Sequence, residues 1–543
     1  MPHHCLQVYD ILDLIFSFVY EVRSKESRKD LLSLTLTCQD FKEVALDVLW
    51  HTQTNLIPLL MTIPGCIGVS TGRDPGSYEL VLEKYPNAEG FSRLLTYSRR
   101  VRKITYFPNA LFSPEGSDLS IVGALWSYHQ TQPGSESQIL LPNLTRVEFS
   151  RVEHAIDCLD YVLESKSVSL SFYWADPSKL IVKTFSTIQQ HASNMQELDL
   201  GTLRDYSERA ECASLSDLVC DMTDLRRLSC AERVLTAPAI RYLASLPKLR
   251  ALQIPNTSKS IMSALCPENP THPSAHNQQY FAELEELTMY EDDLTEFARL
   301  AALVKFQQLR RLAVHWVHTD AVPSQASLRV ALRGALRHCT DMREIRLKRA
   351  HGRAPPAPFH APPPPPRKLN LSQSEPGSLL EGFVLEAALS FKFLTVFQLD
   401  LDYQYQWGDA LLTAMADTWP DLRYLQIGPF FPKTKRTPST ITYKGILHLL
   451  RKCRKLEGLV FSFDGTSMIP PIDGIPEECV NKNITSLAVG YTIYDSSDTV
   501  PGRPSRYRMV ADFLKHVFPR LEIIESSGDW VTWDWVVKSL RDF

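Results

Sequence analysis

The chain lacks any apolar run approaching the roughly 20 residues that a membrane-spanning helix needs. Its first apolar stretch, residues 11–19, is interrupted by Asp13 and has no basic leader, so a secretory signal peptide is not expected. Basic residues are not in excess either, because the net charge is −4, and coating nucleic acid or an anionic membrane requires a strong basic excess. These absences predict a soluble protein of the cytoplasm, the nucleus or both, with neither nucleic acid nor a membrane as partner.

Motifs for catalysis and metal binding are also scarce. The 11 cysteines include no C-x-x-C pair, which favours free thiols in a reducing compartment over a disulfide framework or a metal site. His315 and His318 form H-W-V-H, a spacing unlike that of the helical zinc motif H-E-x-x-H. A G-x-S-x-G match occurs at 68–72, within the stretch 65–78, which is rich in Gly, Ser and Pro and is expected to be a loop. The catalytic serine of a hydrolase with this motif instead lies between a strand and a helix. The sequence therefore predicts no enzyme active site, no cofactor and no metal.

What the sequence does contain is enough apolar surface for large cores. With 543 residues, 44% of them hydrophobic and 22% charged, the chain is too long for one compact core and too apolar to stay unfolded. Two or more domains, or an array of repeats, are expected.

A short apolar unit recurs from about Val101 to the end of the chain. The unit is Φ-x-x-Φ-x-Φ, where Φ is apolar, as in 284–289 and 309–314, and helical patterns often precede it. Copies open at Val101, Leu144, Met195, Leu225, Leu249, Leu284, Leu309, Met342, Leu394, Leu422, Leu456, Ile484 and Leu521. This alternation predicts a leucine-rich-repeat solenoid of α/β class with a parallel concave sheet. The array is expected to be irregular, because its copies lie about 24 to 50 residues apart, against roughly 20–29 in regular arrays.

The first fifty residues are typical of three short helices. Leu12, Ile15, Phe16 and Val19 recur at helical spacing and predict one apolar face, while the charged stretch 21–30 is expected to be a solvated loop. A three-helix unit of this size has a marginal core and is expected to leave apolar surface for a partner.

Three pieces of this segment follow the pattern I-L-x-x-I-F, D-L-L-S-L-x-x-x-C-x-x-F and a closing L-W, at 8–19, 30–41 and 44–50. They resemble the F-box of the large fungal family that joins an F-box to irregular leucine-rich repeats. Val8 and Tyr9 stand where that family usually has Leu-Pro or Ile-Pro. Residues 91–101 are similar to the segment that opens the repeats in those proteins.

The resemblance implies a substrate receptor of a Skp–cullin–F-box ubiquitin ligase, with no chemistry of its own. Its F-box would dock on the Skp-type adaptor, and its repeats would hold an unknown protein substrate. The residues that would build or present the adaptor-docking surface are Leu12, Ile15, Phe16, Leu32, Leu34, Cys38, Phe41, Leu49 and Trp50. The alternative is a leucine-rich-repeat scaffold that binds partners without a ligase.

Charged residues occupy the x positions of the middle repeats. Neighbouring residues on a strand face opposite ways, so only one of each doublet can reach the concave face. We expect Arg227, Arg250, Glu286 and Arg311 to belong to a target-binding face of mixed sign. The alternative is a solvated sheet face on which charge serves solubility.

These patterns predict a domain organisation of three parts. Residues 1–55 form the F-box-like module, 56–98 a linker or transition, and 99–543 the solenoid. Within the solenoid, 351–378 is a proline-rich insertion whose Pro362, Pro365 and Arg367 fit a Src-homology-3 ligand, and 528–543 is expected to be a C-terminal cap.

Overall fold

The computed structural model describes most of the chain, in ranges separated by short gaps. These ranges are 8–21, 25–71, 78–106, 117–133, 138–151, 158–165, 168–175, 179–203, 209–230, 234–266, 279–317, 323–336, 339–349, 379–401, 403–428, 439–489, 506–526 and 536–537. The proline-rich insertion lies outside the described residues, as do all but two residues of the expected C-terminal cap. The chain divides into two compact units: unit 1 comprises 1–249 with 253–255, and unit 2 comprises 250–252 with 256–543.

Unit 1 begins with a bundle of three helices, α1 (Tyr9–Glu21), α2 (Lys25–Thr35) and α3 (Gln39–His51). Its core contains Leu12, Phe16, Leu31, Val44, Ala45 and Val48. The Phe16 ring meets Phe41 edge-on, with ring centroids 5.5 Å apart. The prediction of a loop over 21–30 was wrong, because α2 begins at Lys25, and Arg28, Lys29 and Asp30 are exposed residues of that helix. Its leucines at 31 and 34, by contrast, contribute to the bundle core.

The rest of unit 1 alternates strands and helices as the repeats predict. Its elements are β1 (Thr52–Gln53), α4 (Ile57–Leu60), β2 (Ile67–Thr71), β3 (Tyr78–Leu82), α5 (Ala88–Ser98), β4 (Lys103–Tyr106), α6 (Ser117–Gln130), β5 (Arg146–Arg151), α7 (Leu159–Val162), β6 (Val168–Ala175), α8 (Lys179–Gln190), a 3-10 helix (Ala192–Asn194), β7 (Met195–Asp199), β8 (Thr202–Leu203), α9 (Arg209–Cys220), β9 (Arg227–Ser229) and α10 (Ala237–Ser245). Strands β2 and β3 form an antiparallel hairpin, so the loop expected over 65–78 contains a strand. Residues 68–71 of the G-x-S-x-G match thus lie in the first strand of a hairpin.

A parallel sheet runs through unit 1 in the order β1, β4, β5, β6, β7, β9. The second apolar residue of each unit stacks in register with the next, as Val147, Leu170, Leu198 and Leu228 do, and all four are buried. Tyr106, Phe149 and Phe172 form a parallel aromatic column two residues further along. This stacking confirms the α/β repeat fold for unit 1.

Unit 2 repeats the same design. After β10 (Ala251–Gln253), where the two units divide, come α11 (Ser258–Leu265), β11 (Glu286–Glu291), α12 (Leu294–Val304), β12 (Arg311–Trp316), α13 (Gln325–Leu336), β13 (Glu344–Arg349), β14 (Leu379–Glu381), a 3-10 helix (Gly382–Ser390), β15 (Val396–Asp400), β16 (Gln404–Gln406), α14 (Asp409–Thr418), β17 (Tyr424–Ile427), α15 (Tyr443–Lys452), β18 (Gly458–Phe461), two 3-10 helices (Ile472–Gly474 and Glu477–Cys479), β19 (Ser486–Val489), α16 (Arg506–Val517) and β20 (Ile523–Ser526).

The main sheet of unit 2 is parallel, in the order β11, β12, β13, β15, β17, β18, β19, β20. A central column of buried side chains runs through it from Leu287 and Leu312 to Leu459 and Leu487. In β11 and β12 exposure alternates strictly, with every second residue buried. These two strands therefore have one buried face and one open face, and the open face carries the second x residue of each repeat, whereas β15, β17 and β19 have buried residues on both faces.

Candidate interaction surfaces

The three-helix bundle leaves several large apolar side chains exposed to solvent. Ile11, Leu14, Ile15 and Phe18 recur at i, i+3, i+4 and i+7 on α1, so they share one helix face, and Leu14 and Phe18 are 58% and 60% exposed. Leu32 and Leu36, on and just after α2, are 53% and 82% exposed. We call these six residues the apolar stripe. Such a cluster on a bundle this small is typical of a protein-binding surface.

The nine residues expected at the adaptor-docking surface divide into two sets. Leu12 and Phe16 are buried in the bundle core, and Leu34, Phe41 and Leu49 pack against that core. Trp50 is half-buried, with its ring 4.9 Å from that of Tyr97. Ile15, Leu32 and Cys38 are exposed.

The single apolar face expected for α1 is divided between two faces of the helix in the structure. Leu12 and Phe16 point into the bundle, whereas Ile15 points to solvent together with Ile11, Leu14 and Phe18. Sequence reasoning missed Ile11, Leu14, Phe18 and Leu36, although a second apolar stripe offset from the first was a visible signal. The solvent-facing set, rather than the core set, is the part of the module that a partner can contact.

Polar contacts join the helical bundle to the first repeat strands. Arg100 follows α5, and its guanidinium forms ion pairs with Asp47 and with Glu43, the latter at 2.5 Å, on α3. The same Asp47 carboxylate accepts a hydrogen bond from the Tyr9 hydroxyl at 2.6 Å, and burial, with Asp47 next, raises the pKa of Tyr9 to about 12. Directly after α3, β1 pairs with β4 as the first strand of the sheet. The bundle and the sheet of unit 1 are therefore one continuous structure.

The open face of unit 2 begins with a ladder of alternating charges. Glu286, Arg311 and Glu344 lie in register on β11, β12 and β13. Nη1 of Arg311 is 2.6 Å from Oε1 of Glu286, and its Nε is 3.4 Å from Oε1 of Glu344. Arg346 adds a contact of 3.1 Å to the other oxygen of Glu344. Both glutamates are thus neutralised by arginines of the same face.

The structure separates the four residues expected at the target-binding face. Glu286 and Arg311 are adjacent, as described above. Arg250 instead belongs to a second row, in which its guanidinium lies 3.8 Å from Glu285. Arg227 lies on β9 of unit 1, in register with Glu197, and its side chain is exposed. The mismatch arises because Arg250 occupies the first x position of its repeat and Arg311 the second.

Four residues beyond the charge ladder along the strands, the open face carries a row of different chemistry. Tyr290, His315, Lys348 and Asp400 lie in register on successive strands. The rings of Tyr290 and His315 stack with centroids 4.9 Å apart and planes inclined by 20°. Burial, and then the neighbouring Arg346 charge, lower the pKa of the Lys348 ammonium, against the opposing pull of Asp400.

Further along the sheet, on β15 and β17, the same face is amide-rich and buried. Nε2 of Gln398 donates to Oε1 of Gln426 at 2.7 Å, and both side chains are buried. The Tyr424 hydroxyl donates to the same Gln426 oxygen at 3.1 Å. Its ring lies across Gly458, where an added Cβ would be 2.5 Å from the ring. This region is held by its own hydrogen bonds and offers few unpaired groups.

Two further surveys concern other kinds of site. Within the described ranges, no group of three or more His, Cys, Asp or Glu side chains is placed to hold a metal ion. None of the helices in the described part of the chain has both the length and the apolar character needed to cross a bilayer.

Comparison with known proteins finds fold likeness only. No family model matches the sequence, and no curated protein does. Among solved structures, the chain is similar to one in the yeast Rad7 and Elc1 complex, with 13% identity and a TM-score of 0.32, covering 64% of this chain and 78% of that one. It is also similar to a chain of the TLR13–ssRNA13 complex, with 10% identity and a TM-score of 0.25, covering 79% of this chain and 72% of that one. Similarity this low says nothing about function.

Proposed function

We propose that this chain is a substrate-recognition subunit of a Skp–cullin–F-box ubiquitin ligase. The apolar stripe on α1 and α2 docks on the Skp-type adaptor, and the repeats hold the protein to be ubiquitylated. The stripe is the observation that carries the proposal, since six large apolar side chains lie exposed on the segment whose sequence follows the F-box pattern.

A receptor of this kind needs no catalytic residue. It raises the effective concentration of target lysines near the conjugating enzyme, which performs the chemistry. The contacts between Arg100 and α3, and the pairing of β1 with β4, support this role because they connect the adaptor-docking helices directly to the repeat sheet of unit 1. Function in the cytoplasm or nucleus is part of the same proposal.

The open sheet faces are the proposed place for the target. Open strand faces of repeat proteins are rigid and built of side chains that are not needed for the core. On the face of unit 2, Glu286 and Arg311 form the mixed-sign patch, and Arg250 extends it through Glu285. Arg227 belongs to the corresponding face of unit 1.

Co-expression of the full chain with a Skp-type adaptor tests the proposal. The wild-type chain should co-purify with the adaptor, and Leu14→Asp with Phe18→Asp should abolish this, because two carboxylates would be desolvated without partners. The control is Val330→Asp, at an apolar position on α13 that is 48% exposed, which should bind as wild type does. Unchanged melting temperature shows that the variants are folded.

Two results would count against the ligase. One is a wild-type chain that fails to retain the adaptor, and the other is a folded Leu14→Asp and Phe18→Asp variant that still retains it. Either outcome leaves the second candidate, a repeat scaffold that binds partners without a ligase, for which the open sheet faces provide the binding surface.

A further inference from the structure

Lys348, on the open face of unit 2, forms no ion pair with any residue that the structure describes. Lys348 on β13 is half-buried, and among the described residues no carboxylate lies within ion-pair distance of its ammonium. Asp400 is in register with it on the next strand, yet forms no ion pair with it. Half-burial of a charge is unfavourable unless a counter-charge is supplied.

Arg346 adds a second positive charge beside Lys348. Arg346 lies two residues before it on the same face of β13, and strand geometry places such neighbours about 7 Å apart. Arg346 makes a single contact, through Nη2 to Glu344, so the rest of its guanidinium is available to a ligand. Glu344 is shared with Arg311, whose guanidinium also holds Glu286. Glu286 and Glu344 are therefore both engaged by arginines, Arg346 uses one nitrogen of its guanidinium for Glu344, and Lys348 forms no ion pair with a described residue.

The other side of Lys348 is apolar and aromatic. His315 is in register with Lys348 on β12 and stacks on Tyr290 of β11. Between these rings and the charge ladder, the same face carries only Thr288 and Ala313, the smallest side chains of the two strands on this face. The result is a shallow depression with an aromatic wall on one side and the Arg346 and Lys348 cations beside it.

We propose that this depression binds an acidic peptide segment of the target protein, with a carboxylate placed between Arg346 and Lys348 and a neighbouring apolar side chain against Tyr290 and His315. The inference rests on the proposal that the open face receives the target. The carboxylate would form the close ion pair that Lys348 does not form with Asp400, and the small side chains of Thr288 and Ala313 leave room for the peptide backbone to approach. Charge complementarity confers selectivity here, since a basic segment would be repelled by the adjacent positive charges of Arg346 and Lys348.

Fluorescence anisotropy with the full-length chain tests this. The probe is a fluorescein-labelled peptide, GSEFEGS, compared with the neutral GSQFQGS, the basic GSKFKGS, and a fourth peptide in which both glutamates are phosphoserine. At low salt the acidic peptide should bind about tenfold more tightly than the neutral one, the equivalent of one well-formed charged contact. Lys348→Met and Arg346→Gln should each remove most of that difference, whereas the control Lys482→Met, at an exposed lysine of the same unit, should not.

The outcomes separate this inference from the proposed function. Equal binding of acidic and neutral peptides, absence of binding by all four, or acidic binding that survives Lys348→Met in a folded variant overturns the inference. Binding of the phosphoserine peptide alone overturns the assignment to carboxylates and favours a phosphorylated segment. Adaptor co-purification is measured on the same variants, so an adaptor that is retained while peptide binding fails leaves the ligase proposal standing.

Discussion

The guanidinium of Arg100 forms an ion pair with the carboxylate of Asp47, which connects the start of the repeat sheet to the third helix of the bundle. The Arg100 side chain is only 12% exposed and also holds Glu43. We expect Arg100→Ala to weaken the attachment of α3 by about 2 kcal/mol, a typical value for hydrogen bonds to charged groups.

Hydrogen exchange followed by mass spectrometry measures this loss. Peptides from α3 should exchange about tenfold faster or more in Arg100→Ala, because 1.4 kcal/mol corresponds to a factor of ten, while peptides from α15 keep their wild-type rates. The neighbouring variant Arg99→Ala serves as control, since the side chain of Arg99 bonds only to Leu95 of its own helix. Equal protection of α3 in both variants would contradict the prediction.

Glu291 makes stability depend on pH. Its carboxylate is fully buried, accepts hydrogen bonds from the backbone N–H and the hydroxyl of Ser258, and its second oxygen has no partner among the described residues. Burial is the main cause that raises the pKa of Glu291 to about 7 from 4.5, with the Ser258 hydrogen bonds opposing it. The folded chain therefore keeps this proton to higher pH than the unfolded chain does.

Proton linkage gives the direction in which stability changes with pH. The stability that the protonated group contributes is complete below pH 4.5 and is lost as the pH rises through about 7. Glu291→Gln, which cannot ionise, should retain that contribution at pH 8, amounting to at most about 3 kcal/mol. Thermal unfolding at pH 5 and pH 8 measures it: the melting temperature of the variant should exceed that of wild type only at pH 8. Glu522→Gln, at an exposed glutamate, should show no such difference.

The ring of Tyr424 leaves no room for a side chain at position 458. Because an added Cβ would lie 2.5 Å from that ring, Gly458→Ala should cost about 1–3 kcal/mol, as overpacking usually does. A double-mutant cycle isolates the cause: in a Tyr424→Ala background the same change should cost little, since the obstructing ring is gone. Equal losses in both backgrounds, measured by thermal unfolding, would assign the effect to the β18 backbone instead.

The repeat fold could be predicted from the sequence, whereas much of the interaction surface could not. The Φ-x-x-Φ-x-Φ unit specifies which side chains stack, so Leu198 and Leu228 are in register as expected. Helical periodicity, however, identified Leu12 and Ile15 as one apolar set, because it cannot distinguish a core-facing side chain from one that awaits a partner. Their separation depends on where α2 and α3 pack.

The charged residues show a similar limit. Counting from the repeat leucines placed Arg250 with Glu286 and Arg311, although Arg250 occupies the preceding position and pairs with Glu285. Nothing in the sequence indicates that Lys348 matters, since it follows the last apolar residue of its repeat unit, Leu347, and a lysine there is ordinary. It becomes distinctive only when the register places Asp400 and His315 on either side without an ion pair to the ammonium.

Reversing the charge of Arg311, by Arg311→Glu, tests the role of the open face of unit 2 and also destabilises that face. Sequence reasoning predicts that Arg227→Glu with Arg311→Glu weakens target capture and leaves the melting temperature unchanged. The structure alters the second expectation, because Arg311 lies between Glu286 and Glu344 and its reversal brings three carboxylates together. The side chain is 55% exposed, so the cost should be modest, about 1 kcal/mol.

Salt dependence identifies that cost as electrostatic. The melting temperature of Arg311→Glu should fall by about 2–4 °C at 50 mM NaCl, and most of the loss should disappear at 1 M, where the screening length is about 3 Å. Arg423→Glu is the matched control, because Arg423 is similarly exposed and has one carboxylate, Glu457, at 3.9 Å. A loss in Arg311→Glu that is independent of salt would point to packing of the arginine stem instead. Arg311→Gln removes the positive charge without adding repulsion. In this variant, reduced target capture can therefore be assigned to weaker binding rather than to lost stability.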